Sequence, residues 1–95
     1  MNKKDLLKIL EETIGIITTQ ANDFVWSHWN GPEDAEAELK NYRHEIEHDV
    51  FVHIPELVGI FAPTGSLQEV SISSGWGEKC LELSARFDKA IDSPE

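Results

Sequence analysis

Between residues 5 and 26 the apolar side chains Leu7, Leu10, Ile14, Ile17, Ala21 and Phe24 recur at alternating steps of three and four. An α-helix makes one turn in 3.6 residues, so these side chains form one stripe along a helix. A strand cannot use the pattern, because its faces alternate at every second residue. Leu6 and Ile9 widen the stripe, while Asp5, Lys8, Glu11 and Glu12 lie mostly off it. The spacing predicts a long first helix that frays near Asn22. Its apolar face must be covered by other elements, and a chain of 95 residues supports one domain with one such core.

The remaining elements follow from breaks and caps. Asn30-Gly31-Pro32-Glu33-Asp34 ends one segment and starts another. Proline suits the first helical position, where the missing N–H costs nothing, and the acids after it face the positive end of the helix dipole. A second helix is expected to about Asp49, with Ala35, Leu39, Tyr42 and Ile46 on its core side. Val50-Phe51-Val52-His53-Ile54 either prolongs that helix or forms a short strand: its β-branched and aromatic residues suit a strand, but periodicity does not decide a run this short. Pro55 allows a short helix through Phe61. Ser66 and Glu69 have the spacing of a capping box. Residues 70–73 are left open as extended chain. A last helix carries Trp76, Cys80, Leu83, Phe87 and Ala90 or Ile91 on one face, and Pro94 blocks its continuation. The expected fold is therefore all-α, a single domain over 1–95. It is a bundle of three main amphipathic helices plus a short one, with residues 50–54 and 67–73 open as a minor strand pair.

Charge restricts the partners. Asp and Glu number 18 against 8 Lys and Arg, a net charge of −10. Nucleic-acid binding relies on Lys and Arg displacing counterions from phosphates, and anionic membranes attract basic segments. Neither is expected as a partner here. A basic protein is the favoured partner class, because opposite potentials steer encounter; the plain alternative is that the charge only confers solubility. The lone Cys80 cannot close an internal disulfide, which points to a cytoplasmic protein rather than a stapled secreted one. Met1-Asn2-Lys3-Lys4 starts like a signal peptide, but Lys8, Glu11 and Glu12 interrupt the apolar stretch such a peptide needs.

His44-Glu45-Ile46-Glu47-His48 matches the letters of the zinc-peptidase motif. Two histidines four residues apart share one helix face and can bind zinc, with the glutamate activating a metal-bound water. At roughly 100° per residue, however, both histidines fall about 160° from Ile46, opposite the core stripe. A catalytic zinc also needs a third protein ligand, and only His53 or Glu69 is at hand. Glu47 and Asp49 depart from the uncharged residues usual around the motif. A metal-binding role for His44 and His48 remains an alternative. No metal site, cofactor or catalytic residue is assigned.

Residues 33–56 hold eight acids against Lys40 and Arg43, a net −6. Such a run reads either as a solvated helix face or as a docking surface for basic groups. In the docking reading Glu33, Asp34, Glu36, Glu38, Glu45 and Asp49 supply charge and Trp29 an apolar anchor, since interface tryptophans carry much binding energy. Trp26 and Trp29 can instead close the end of the core. Ser27 and His28 are neighbours in sequence, which does not make a catalytic pair; that is a matter of spatial geometry.

The stretch Phe61-Ala62-Pro63-Thr64-Gly65-Ser66-Leu67-Gln68-Glu69, followed by Gly75-Trp76-Gly77 and a helix with Phe87-Asp88, resembles a pattern in small uncharacterised bacterial proteins. Some of these are thought to be immunity-type proteins that neutralise a toxin. The resemblance covers the last third of the chain and implies a small bacterial protein without known enzymatic activity. Combined with the charge, it leads to the expectation of a non-enzymatic, immunity- or antitoxin-like inhibitor of a basic partner such as a nuclease. A self-associating adaptor, completed as a dimer, is the third expectation.

Overall fold

Five helices form in the computed structural model, which describes residues 1–93: α1 (Lys3–Thr19), α2 (Pro32–Glu47), α3 (Ile54–Phe61), α4 (Ser66–Ser74) and α5 (Gly77–Asp92). No strand occurs among the described residues. The strand pair left open at 50–54 and 67–73 does not form. Residues 50–53 make a turn, and 67–73 lie inside α4. Pro94 falls outside the described residues.

Each helix buries the face its spacing dictates. On α2 the buried residues are Ala35, Leu39, Tyr42 and Ile46; on α5 they are Cys80, Leu83, Phe87 and Ala90. On α1 the stripe turns about its expected axis. Leu6, Ile9, Leu10, Thr13, Ile14 and Ile17 are buried, while Leu7 is only half-buried. The cause is position: α1 packs against both α2 and α5, so its apolar arc must be wide. The buried Thr13 hydroxyl donates to the Ile9 carbonyl at 2.8 Å, which satisfies it inside the core. α4 packs on α5 and α3, and Phe61 stacks on Phe87 with ring centroids 4.3 Å apart. Removing one fully buried side chain of this set, such as Leu39, costs about 2–5 kcal/mol.

α1 ends at Thr19, before the fraying expected near Asn22. Thr18 and Thr19 turn their hydroxyls back to the carbonyls of Ile14 and Gly15. The Asn22 amide then donates to the carbonyls of Ile16 and Ile17 at 3.1 and 3.2 Å, taking up acceptors that helix ends leave open. Its own oxygen accepts the Trp76 indole N–H at 2.7 Å. From there the chain runs irregularly alongside α4. Asp23 N–H donates to Ser74 at one end, and His28 N–H donates to Ser66 at the other.

α2 closes on a Schellman arrangement. Val50 N–H donates to the Glu45 carbonyl at 2.8 Å and Asp49 N–H to that of Ile46 at 3.1 Å, with Asp49 left-handed at φ 59°. The Ser66–Glu69 capping box does not form: α4 starts from Gly65, which offers no side chain as a cap. A Cβ at Gly65 would stand 2.2 Å from the Gly59 carbonyl oxygen, so only glycine fits between α3 and α4.

Candidate functional site

The residues carrying most polar chemistry meet where α2, the 20–31 segment and the start of α4 converge. Glu38 leaves α2 one residue before the buried Leu39 and is itself 30 % exposed. Its Oε1 accepts the Trp29 indole N–H at 3.1 Å and lies 2.9 Å from His28 Nε2; its Oε2 accepts the Tyr42 hydroxyl at 3.1 Å. Burial, followed by the charge of Glu38, pushes the Tyr42 phenol up to about 12, so it stays a neutral donor. On the far side of the imidazole, His28 Nδ1 meets Ser66 Oγ, which also accepts His28 N–H at 3.2 Å. Ser66, His28 and Glu38 are thus joined in one chain of hydrogen bonds.

The array borders a groove of about 410 Å³ lined by His28, Glu38, Tyr42, Glu56, Ile60 and Ser66. A second groove, about 600 Å³, lies between the 20–31 segment and the start of α2, with Phe24, Val25, Trp29, Gly31 and Pro32 in its wall. Next to it Val25 and Trp26 stand 75 % and 72 % exposed.

The expected contact residues divide. Glu33, Asp34 and Asp49 are exposed, although Asp34 accepts Asn30 N–H and Asp49 meets Lys3 at 3.1 Å. Glu36 pairs with Lys40 at 2.7 Å. Glu38 and Glu45 are turned inward, Glu38 to the array above and Glu45 to His53 at 2.8 Å. The Glu45 hydrogen bond holds the exposed His53 imidazole above its usual range. Trp29, expected as an apolar anchor, is 3 % exposed and packs in the core. A flat indole next to Phe24, with its N–H met by Glu38, is better buried than solvated. The exposed indole is Trp26.

His44 and His48 sit on the outer face of α2 with ring centroids 4.2 Å apart, and His48 Nδ1 donates to the His44 carbonyl. His53 is engaged with Glu45 rather than turned to them. Among the described residues no group of three or more His, Cys, Asp or Glu side chains is placed to hold a metal ion. Cys80 is buried, with its thiol near the Gln68 side-chain oxygen at 3.5 Å.

Sequence reasoning missed the joining of Ser66, His28 and Glu38. Their only local signal is the close spacing of His28 and Trp29 to Glu38; Ser66 lies 38 residues from His28 and carries none. No family model, curated protein or solved structure matches the chain. Among the described residues no helix is long and apolar enough to cross a membrane.

Proposed function

We propose that this chain is a binding domain for a basic protein partner, docking at the groove between the 20–31 segment and the start of α2. The observation that carries the reading is the exposure of Val25 and Trp26 beside that groove, within the most acidic part of the molecule. Residues 20–74 hold ten acids and only Lys40 and Arg43 as bases. Asp23, Glu33 and Asp34 are exposed around the groove's own sequence segments. An apolar centre with a charged rim suits a specific interface, where an aromatic anchor supplies affinity and charge supplies steering. A nuclease-type toxin has the required basic surface, in line with an immunity-like role.

The test is native mass spectrometry of the protein recovered from its own cells at low salt, followed by affinity measurement with the captured partner. The reading expects one basic protein whose complex dissociates as salt rises. Trp26→Ala should weaken it at least 10-fold by loss of buried contact, and Glu33→Lys should slow association, while Lys8→Ala on α1 leaves both unchanged. Full affinity in Trp26→Ala and Glu33→Lys would place the interface elsewhere, and a homodimer through this face would replace the basic partner with a second copy.

A further inference from the structure

The Ser66–His28–Glu38 array lies outside the groove assigned to docking, and its hydrogen-bond directions are determined by chemistry. An ionised carboxylate only accepts, so the proton between Glu38 Oε1 and His28 Nε2 is carried by the imidazole. In the neutral ring Nδ1 is then the acceptor, and the hydroxyl it meets, Ser66 Oγ, is the donor. A serine hydroxyl aimed at the free nitrogen of an imidazole whose other nitrogen is held by a carboxylate is the arrangement that activates a serine for acyl transfer. Trp29 and Tyr42 fix the carboxylate from both oxygens, so the orienting group is itself oriented.

Two further features surround the hydroxyl. Ser66 is the first residue of α4, and the Gly65 before it supplies no side-chain cap, so no capping side chain occupies the N–H groups of that first turn. Groups of this kind stabilise an oxyanion. The groove that Ser66 lines is open to solvent and of a volume suited to a small molecule. Its walls carry Glu38 and Glu56 and neither lysine nor arginine, so anionic substrates are repelled.

We propose that Ser66 is a nucleophile, His28 its general base and Glu38 the positioning residue, and that the groove takes short-chain carboxylic esters of uncharged or cationic alcohols. The Oγ–acyl bond forms as the hydroxyl proton passes to His28 Nδ1. The acyl–alkoxy bond breaks, and the departing alcohol leaves with that proton. Water then attacks the acyl-serine, its proton passing through His28 back to Ser66 Oγ, and the carboxylic acid is released.

The experiment treats the folded wild-type protein with a serine-directed fluorophosphonate, maps the adduct by peptide mass spectrometry, and follows hydrolysis of p-nitrophenyl acetate. The expected result is an adduct at Ser66, with hydrolysis reduced about 100-fold or more in Ser66→Ala and in His28→Gln. Circular dichroism of each variant confirms that it is folded. A folded wild-type protein unlabelled at Ser66 overturns the proposal, and so does hydrolysis that survives in Ser66→Ala. Labelling of Ser66 at the wild-type rate in His28→Gln removes His28 as its base. None of these outcomes bears on docking at Trp26, which does not line the groove at Ser66.

Discussion

Glu12, on the seam between α1 and α5, is 31 % exposed; Glu38, at the junction of α2, the 20–31 segment and α4, is 30 % exposed. Their partners differ in kind. Glu12 meets Arg86 through both oxygens, at 3.0 and 2.6 Å, and Lys79 at 3.5 Å. Arg86 and Lys79 also reach Glu82 on their own helix. The seam thus cancels its own charge. Glu38 instead collects an indole, a phenol and an imidazole, none of which brings a permanent charge. Equal exposure therefore hosts two different devices. One is an ion-pair network whose strength depends on salt and pH. The other is a hydrogen-bonded hub that leaves its negative charge in place and ties an irregular segment to two helices.

The largest expected effect is at the hub. Glu38→Ala leaves the buried Trp29 N–H and the Tyr42 hydroxyl without their acceptor, and should destabilise by about 2–3 kcal/mol. Urea unfolding at neutral pH reads this as a lower midpoint with an unchanged slope. A loss well under 1 kcal/mol would show that water replaces the carboxylate easily, and the hub would cease to be a distinct device.

Glu12→Ala should cost less, about 1 kcal/mol, because solvent screens a pair at this exposure. Its cost should shrink as salt rises from 0.05 to about 1 M, while that of Glu38→Ala should persist. Equal salt dependence in the two variants would erase the contrast between them.

Acid separates the two regions again. The hydrogen bond from Arg86 holds the Glu12 carboxyl down from 4.5 to about 2. A lowered native value means that the unfolded chain takes up the proton first, so the contribution is present above pH 4.5 and is lost as pH falls toward about 2. Glu12→Gln should therefore flatten the stability profile across that window, as followed by thermal melts at stepped pH. A slope identical to wild type would show that other carboxylates govern acid unfolding.

His53 and Glu45 form an intermediate case, a carboxylate paired with a conditional cation. The His53 value is raised above 6.5, so the contribution of the pair is present below pH 6.5 and fades as pH rises through the raised value. An NMR titration should find His53 above its free value in wild type and lowered in Glu45→Gln. The smallest expected effect is at Asp49. Glycine there relieves the left-handed backbone at φ 59° but gives up the bond to Lys3. The two nearly cancel, and Asp49→Gly should move stability by no more than about 0.5 kcal/mol in a melt.

Local periodicity made much of this fold legible. The buried faces of α2 and α5 follow from their spacing, since residues three and four apart share a helix face wherever the helix is placed. Pro32 marks the start of α2 for an equally local reason. The end of α1 was not legible, because Asn22 competes for its carbonyls while held by Trp76, 54 residues away. The two indoles of Trp26 and Trp29 lie in a segment without helical period, and nothing local says which is buried. Ser66 had the spacing of a helix cap and was instead drawn to His28. The sequence by itself determined an acidic helical chain with its core faces, because those depend on contacts within a few turns. Tertiary structure alone decided which acids are spent on internal partners, which tryptophan faces solvent, and which serine meets a histidine. Those outcomes depend on hydrogen bonds between residues tens of positions apart, whose partners exist only once the helices have packed.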